Sequence, residues 1–394
     1  MRKNSLKSKS RLLGEPGASR RRFLTGTITA AAGTAAAGFP ITAVAQTPVS
    51  FRFQGAWSAR DIFHEYALDY AKKVNEMSGG RLRIEVLPAA AVVKPFDLLD
   101  AVHKGVLDGC HAVPAYWYGK NSAFSLFGTG PALGMDANNF LAWMEYGGGR
   151  ELYNELLTKM LNLDVVGFLY GPMPTQPLGW FRKPVASAAQ FKGLKYRTVG
   201  LAIDVFREMG AAVNALPDGE IVPALSSGLI EAAEFNNATS DRWLGFPEVS
   251  KFCMLQSYHQ PAETLEILFN RKQHDALPAD LKAIVKYAAE AASADMSWKA
   301  IHRYSEDYAW LREKQGVKFH KTPADVLRAQ MKAWGAVAGR GSKENPFFEK
   351  VFRSQLAWAR RTVGWAQDTI VDSRVAYDQW FGKQPAPGKS GKNG

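Results

Sequence analysis

Short apolar segments of alternating polarity are separated by longer segments whose apolar residues recur every three or four positions. Residues 49–54 predict a strand, and Ile62, Tyr66, Tyr70 and Val74 then lie on one face of a helix. A second strand, a second helix and a third strand are predicted at residues 82–86, 96–104 and 106–113. This β-α-β-α-β order is typical of a mostly parallel sheet flanked by helices.

The same order of elements recurs in the next part of the chain. Strands are predicted at residues 194–199, 211–215 and 229–236, with helices at 201–209 and 220–227 between them. In both parts a helix ends at glycine and an aliphatic pair enters a strand beside an acid, at residues 101–109 and 224–232. The repetition predicts two similar α/β lobes.

The C-terminal third has a different pattern. Residues 264–270 predict a strand that crosses between the lobes, and Pro278 begins a helix that extends to about residue 314. A further strand is predicted at residues 316–319, one long helix at 345–381 and a disordered tail at 385–394. Helices of this length exceed what a single lobe needs, so they predict bracing across both lobes or pairing with a second chain.

The start of the chain carries the pattern of an export signal. The pair Arg20-Arg21 is followed by Phe23, by a mild apolar run that ends near residue 40, and by small residues typical of a cleavage site at 43–45. We therefore expect residues 1–45 to form a twin-arginine signal peptide, and the mature chain to work in the periplasm. A cytosolic protein with a disordered basic arm is the alternative.

Removing this segment changes the charge of the chain. The 394 residues carry a formal net charge of +12, of which residues 1–45, with eight Lys or Arg and one Glu, hold +7. The +5 that remains on the mature chain is too little for a nucleic-acid-binding surface. It is compatible with a small anionic ligand but does not require one.

Cysteine usage excludes some metal sites. Cys110 and Cys253 are the only two cysteines, so neither a Cys₄ iron–sulfur site nor a multi-cysteine zinc site is available. Both lie in apolar, strand-like segments, where buried free thiols are expected and a disulfide is the alternative.

Three polar residues lie where a ligand is expected. In open α/β sheets ligands bind beyond the carboxyl ends of the strands, where the pattern puts Arg197 and Glu234. The planar guanidinium of Arg197 could hold a carboxylate through two charge-assisted hydrogen bonds. Gln176 is polar within an apolar stretch, and oxygens from Gln176, Glu234 and a backbone carbonyl would suit a hard cation and not zinc. The alternative for Arg197 is a surface arginine paired with a local acid.

Aromatic residues near the predicted strand ends, Trp57, Tyr116 and Trp117, could wall a small pocket, or they could be core residues. Signals for catalysis are weak. The histidines form no HExxH pair, and the chain has no GxSxG, Walker or GxGxxG motif. We therefore predict that the protein is not an enzyme. An exported, cofactor-free enzyme that acts on a small organic acid with Glu234 and a histidine is the alternative.

Six segments match a known family when they are taken together. They are FDLLDAVHKGVLDG at 96–109, AYW at 115–117, GWFRK at 179–183, GLKYR at 193–197, GEIVPALSSG at 219–228 and HQP at 259–261. With them the chain resembles the solute-binding subunit of tripartite ATP-independent periplasmic transporters, the TRAP or DctP-type family. The resemblance extends from residue 51 to about 381 and is closest to the branch that binds 2-oxo acids, lactate and similar monocarboxylates.

The resemblance implies roles for particular residues. Arg197 would bind the ligand carboxylate. Gln176, Glu234 and the carbonyl of Phe235 would surround a sodium or calcium ion that is shared with this carboxylate. The predicted substrate-binding residues are Arg197, Gln176, Trp57, Tyr116, Trp117 and Asn237.

The resemblance also implies an architecture and a function. We expect an α/β, two-lobe fold like that of class II periplasmic binding proteins, with the ligand cleft between the lobes and long C-terminal helices. Lobe I is predicted from residues 46–170 and about 258–315. Lobe II is predicted from residues 171–257 and about 316–384, which include the long C-terminal helix.

The expected function is that of an extracytoplasmic solute receptor. It would bind a small organic acid, a 2-oxo acid or related monocarboxylate, and deliver it to separate membrane permease subunits. A homodimer formed through the C-terminal helix is a further expectation. A ligand receptor for a sensor kinase is the alternative to a transport role.

Overall fold

The computed structural model describes residues 47–130 and 133–382, so the predicted signal peptide and C-terminal tail lie outside the described residues. Strands β1 to β11 are Val49–Gly55, Leu82–Leu87, Gly109–Ala112, Val165–Met173, Gly179–Phe181, Lys195–Arg197, Ala212–Asn214, Ala232–Ala233, Phe252–Leu255, Glu263–Asn270 and Lys318–Lys321. Helices α1 to α13 are Ile62–Met77, Leu98–His103, Ala137–Tyr146, Gly149–Glu155, Ala202–Glu208, Asp218–Ser227, Ala238–Leu244, Phe246–Val249, Arg271–Asp275, Ala279–Lys314, Ala324–Glu344, Pro346–Thr369 and Ser373–Phe381.

The first sheet has the strand order β2-β1-β3-β10-β4. Strands β2, β1 and β3 are parallel and are joined through α1 and α2, as the alternating pattern predicts. Strand β10 lies antiparallel between β3 and β4. It enters from the other sheet, so no helical crossover imposes a parallel direction on it. The sheet is therefore mixed, where a mostly parallel sheet was expected.

The second sheet has the strand order β11-β9-β5-β8-β6-β7. Strand β6 is parallel to β7 and β8, whereas β5 is antiparallel to β8 and β9. The last strand, β11, adds to the edge parallel to β9. The two sheets with their helices, together with the long C-terminal helices, confirm the predicted two-lobe α/β fold class. The residue boundaries of the lobes remain a prediction.

Within the described residues three segments connect strands of the first sheet with strands of the second. Residues 174–178 lead from β4 to β5, residues 256–262 lead from β9 to β10, and α10 lies between β10 and β11. Helix α10 has 36 residues, a length of about 54 Å at the usual rise per residue. It packs on α1 and β4 beside the first sheet and on α7 beside the second. Among residues 47–130 and 133–382, no helix is long and apolar enough to cross a membrane.

The close packing of α10 on β4 depends on Gly171. A Cβ at this position would lie 2.1 Å from the Sδ atom of Met296 on α10, and the residue has a φ of +70° that favours glycine. Its backbone N–H also donates to Oγ of Ser293 at 2.7 Å. The strand and the long helix therefore contact each other directly through backbone and side chain.

Helix α1 begins and packs as its sequence predicts. The side chain of Asp61 accepts a hydrogen bond from the backbone N–H of Phe63 at 2.8 Å and caps the helix. The face formed by Ile62, Tyr66, Tyr70 and Val74 is buried.

The prediction of one long helix over residues 345–381 is wrong. Helix α12 ends at Thr369, and Ile370 has extended backbone angles. Asp372 then accepts a hydrogen bond from the N–H of Arg374 at 2.8 Å and begins α13. Asp372, a good N-capping residue, therefore begins a second helix at a point where the apolar pattern alone predicts one continuous helix.

Both cysteines are buried free thiols, as predicted. Cys110 lies on β3 in the first sheet and Cys253 on β9 in the second. Burial raises the pKa of each thiol well above its ordinary value.

Candidate functional site

A small cavity lies where the two loop crossings meet the carboxyl ends of several strands. The crossings contact each other, because the N–H of Gln176 donates to the carbonyl of Gln260 at 3.1 Å. The cavity has a volume of about 20 Å³. It is lined by Trp57, Phe63, Val113, Tyr116, Met173, Gln176, Arg197, Val199, Phe235, Asn236, Gln260 and Glu263. Predicted site residues from five separate parts of the sequence, Trp57, Tyr116, Gln176, Arg197 and Phe235, thus face one space.

Arg197 is the central charged residue of this cavity. It is the last residue of β6, and its side chain is 1% exposed. Nη1 donates to Oε1 of Glu234 at 2.8 Å and to the Glu234 carbonyl at 3.0 Å, while Nε and Nη2 donate to the carbonyl of Leu216. The guanidinium also lies 5.7 Å from the ring centroid of Phe235. These contacts fix its plane and exclude the alternative of a surface arginine.

Glu263 is a buried carboxylate that lines the cavity, and the sequence did not single it out. Its Oε2 atom accepts hydrogen bonds from Nε2 of Gln176 and from Nδ2 of Asn236, the latter at 3.2 Å. Nε2 of Gln260 donates to its Oε1 at 3.3 Å. Glu263 is the first residue of β10, directly after the segment that connects the two sheets, and this position could have indicated a site residue.

The cavity holds an excess of negative charge when its acids are ionised. Burial raises the pKa of Glu234 to about 7, an effect that the nearby Arg197 opposes. Burial, and the neighbouring Glu234, raise the pKa of Glu263 to about 8. Because a single guanidinium faces both carboxylates, a bound cation would compensate the remaining charge.

Several buried oxygens of this cluster lack a hydrogen-bond donor, which fits a cation. They are Oε1 of Gln176, Oε2 of Glu234 and Oε1 of Gln260. Amide and carboxylate oxygens are the ligands of sodium and calcium, and the first two belong to the predicted set. Within residues 47–130 and 133–382 no three His, Cys, Asp or Glu side chains are grouped to hold a metal ion. The predicted set of an amide, a carboxylate and a carbonyl does not depend on such a group.

His259 borders the same carboxylate. Its Nε2 atom lies 4.0 Å from Oε2 of Glu234, and its Nδ1 atom lies 2.6 Å from Oγ of Ser257. Burial lowers the pKa of His259 to about 3. The imidazole is therefore neutral and adds no positive charge to the cavity.

Two predicted substrate-binding residues do not line the cavity. The indole N–H of Trp117 donates to the buried carboxylate of Glu266 in the first sheet, so this ring is a core residue. Oδ1 of Asn237 accepts hydrogen bonds from the N–H groups of Thr239 and Ser240 and caps α7. Trp117 follows Tyr116 directly in sequence, and its ring points away from the cavity that Tyr116 lines. The side chain of Asn237 is used as the N-cap of α7.

Polar contacts close the cleft in front of the cavity. Oδ2 of Asp218, at the start of α6, accepts hydrogen bonds from the backbone N–H and the Oγ of Ser58 at 2.8 and 2.6 Å. The N–H of Leu201 donates to Oγ of Ser125 at 3.0 Å. Ser58 and Ser125 belong to the chain around the first sheet, and their partners to the chain around the second. The structure is therefore a closed form.

Comparisons with known proteins show which family the chain resembles. A family model described as bacterial extracellular solute-binding protein, family 7 (DctP) matches residues 53–340. A monocarboxylate 2-oxoacid-binding periplasmic protein of Nostoc sp. is 30% identical over 295 residues, 75% of this chain and 80% of that protein.

Solved structures match over most of the chain. A TRAP periplasmic solute-binding protein from Pseudoalteromonas atlantica, with bound sodium and pyruvate, has a TM-score of 0.78 and 29% identity and covers 85% of this chain and 100% of its own. A TRAP transporter solute-binding protein from Bordetella bronchiseptica, a mixed-occupancy dimer with calcium and picolinate in its active site, has a TM-score of 0.79 and 27% identity. That match covers 84% of this chain and 97% of the other.

Fold and cavity together define a two-lobe binding protein whose polar site is closed between the lobes. The chain belongs to the DctP family of bacterial extracellular solute-binding proteins, as the extent of the family match shows. This is a family of substrate-binding proteins of TRAP transporters and not of enzymes, which confirms the prediction that the protein has no catalytic role. The protein is therefore extracytoplasmic.

Proposed function

We propose that this protein is the receptor of a TRAP-type transporter for a short 2-oxo acid or related monocarboxylate. The observation that carries the proposal is the convergence of the Arg197 guanidinium with the unpartnered amide oxygen of Gln176 in one closed cavity, where Arg197 also contacts Glu234, whose Oε2 atom is unpartnered. A guanidinium and a cation together suit a carboxylate with a neighbouring oxo group. Aromatic and aliphatic side chains form much of the cavity lining and favour an aliphatic acid, and a related structure holds pyruvate.

In this proposal a sodium or calcium ion is held by Gln176, Glu234 and the carbonyl of Phe235. Support comes from the free Oε1 of Gln176 and Oε2 of Glu234, and from related structures that contain sodium or calcium beside a carboxylate ligand. The ion would supply positive charge for the ligand carboxylate. Arg197 orients the acid through its fixed plane, and Trp57 and Tyr116 exclude water from it.

Thermal-shift measurements on the mature protein test the ligand class. Pyruvate, longer 2-oxo acids, lactate, C4 dicarboxylates, sugars and amino acids are compared after unfolding and refolding to remove any co-purified ligand. A ligand present at about one hundred times its Kd should add roughly 2.7 kcal/mol to the free energy of unfolding. We expect short 2-oxo acids to raise the melting temperature most. A rise with sugars or amino acids alone would contradict the proposed site.

We further propose that the chain is exported by the twin-arginine route and delivers its ligand to separate permease subunits in the membrane. The support is the Arg20-Arg21 motif and the TRAP family match. N-terminal sequencing of the periplasmic protein should begin near Gln46. Replacement of Arg20 and Arg21 by lysine should keep the chain in the cytoplasm, and unchanged export would contradict the route.

The contact between Ser58 and Asp218 should hold the closed form. Asp218→Ala removes the acceptor of two hydrogen bonds across the cleft, so we expect pyruvate to bind about ten to a hundred times more weakly. The loss should appear mainly as faster dissociation in stopped-flow measurements, because the contact forms only on closure. Asp218→Asn keeps an acceptor oxygen and should lose less. Equal dissociation rates in wild type and Asp218→Ala would contradict this role.

We also propose that α13 is covered by a second copy of the chain. None of its residues is buried, and Val375, Trp380 and Phe381 are 70%, 81% and 74% exposed. A related protein forms a dimer in its crystal structure. Light scattering after gel filtration should give a dimer for the wild type and a monomer for Trp380→Glu with Phe381→Glu. Trp298→Glu on α10, which is also exposed, is the control that should stay dimeric.

A further inference from the structure

A second pocket lies beside the segments that connect the two sheets, outside the acid-binding cavity. It has a volume of about 290 Å³, close to the lower end of the roughly 300–1,000 Å³ typical of small-molecule sites. Pro174, Thr175 and Gln256 of the two crossings form its exposed mouth. Asn236 lines both this pocket and the acid cavity, so the two are neighbours.

A buried carboxylate forms part of the floor. Asp241 on α7 is 1% exposed, and its Oδ2 atom accepts a hydrogen bond from the indole N–H of Trp180 at 2.7 Å. Its Oδ1 atom is buried and has no hydrogen-bond partner. No Lys, Arg or His is among the described residues that line this pocket, so Asp241 has no cationic partner there.

The nearest guanidinium on the same helix is engaged elsewhere. Nη1 of Arg242 donates to Oδ1 of Asp307 at 2.6 Å, and the group stacks 3.7 Å from the ring of Trp310. Burial, with a smaller effect of the neighbouring acids Glu234 and Asp61, raises the pKa of Asp241 to about 8, so a cationic group bound beside it would stabilise the ionised carboxylate. An unpartnered acid in such surroundings favours a positively charged ligand group.

The walls of the pocket are aromatic and apolar. Tyr304 and Tyr308 of α10, Trp180 of β5 and Phe319 of β11 contribute rings, and Leu311 adds an aliphatic side chain. Aromatic faces attract organic cations through their quadrupole, and a carboxylate at the floor supplies the opposite charge. An inorganic cation would leave most of a pocket of about 290 Å³ and its apolar walls unfilled, and an organic anion would be repelled by the ionised acid.

We propose that this pocket binds a small organic ammonium ion, with the ammonium group on Asp241 and its apolar part between the rings of α10 and the second sheet. The site is distinct from the acid cavity and does not rest on the proposed function. It is built from the segments that connect the sheets, so its occupant would contact both crossings at once.

Isothermal titration of the mature wild-type protein with benzylammonium tests the site in the absence of any acid ligand. Neutral benzyl alcohol has the same ring and length, so it is the matched probe without charge. We expect benzylammonium to bind and benzyl alcohol to bind at least about tenfold more weakly. No binding of benzylammonium at millimolar concentration, or equal affinity for the two probes, would overturn the proposal.

Variants locate the site. Asp241→Asn keeps an acceptor for Trp180 but removes the charge, and it should weaken benzylammonium binding about tenfold or more. Tyr308→Leu changes a half-buried residue of the pocket wall and should weaken benzylammonium binding a few-fold. This variant tests the site independently if Asp241→Asn does not fold. Glu248→Gln removes the charge of an exposed residue of α8 that does not line the pocket, and it should leave the affinity unchanged. Wild-type affinity in both pocket variants, or a loss in Glu248→Gln as large as in Asp241→Asn, would place the ammonium elsewhere and overturn the assignment.

Discussion

Replacement of Arg197 by alanine is expected to weaken binding of the 2-oxo acid about a thousandfold or more and to destabilise the protein as well. The first effect follows because the guanidinium is the fixed cation of the cavity. The second follows because Glu234 loses its buried partner, which typically costs about 3–5 kcal/mol of unfolding free energy. Calorimetric titration with pyruvate and thermal denaturation measure the two effects separately.

A double variant separates binding from stability. Arg197→Met with Glu234→Gln leaves no unpaired charge from this ion pair, so much of the stability should return while pyruvate binding stays lost. Arg242→Ala is the control, because it breaks a different ion pair, with Asp307, which is only partly buried and does not line the cavity. It should lower stability and retain affinity. Near-wild-type binding in Arg197→Ala would refute the central role of this residue.

Removal of the cation should have the second largest effect. If sodium or calcium is shared with the ligand carboxylate, chelation followed by exchange into a buffer without either ion should weaken pyruvate binding at least about a hundredfold. Returning the correct ion should restore the affinity. Titrations under each condition identify the ion, and an affinity unchanged by both treatments would exclude a shared cation.

Glu234→Gln sharpens this test. The amide oxygen can still accept the hydrogen bond from Arg197, but an NH2 group then replaces the free oxygen and cannot bind a cation, so cation affinity should fall. Glu220→Gln, on the exposed side of α6, is the control and should bind as the wild type does.

The cation site should also depend on pH. The pKa of Glu234 is raised to about 7 by burial, so protons compete with the cation at this group. Cation affinity should therefore decrease as the pH falls below 7 and level off above it. An affinity that is constant from pH 5 to pH 8 would mean that this carboxylate is not a ligand.

The sequence predicted the parts of the fold that follow from local periodicity. The burial of Ile62, Tyr66, Tyr70 and Val74 follows from helical spacing, and the convergence of Arg197 with Gln176 follows from the position of ligand sites at strand ends. These features depend on residues close in sequence or on a general rule of α/β sheets.

Features that depend on long-range packing were missed. Glu263 becomes a site residue only because β10 enters antiparallel from the other sheet and brings its first residue to the cavity. The position of Trp117 depends on Glu266, 149 residues away in sequence. The break between α12 and α13 was missed for a local reason. The apolar pattern continues through it, but the side chain of Asp372 caps a new helix, and periodicity alone does not include such capping.

The two buried thiols have a consequence for how the protein matures. Cys110 and Cys253 lie in different sheets and form no covalent bond, so the described fold is complete without an oxidation step. A reducing cytoplasm therefore permits the same folding as an oxidising compartment. Neither a disulfide isomerase nor an oxidant is therefore needed for the described residues to reach this fold.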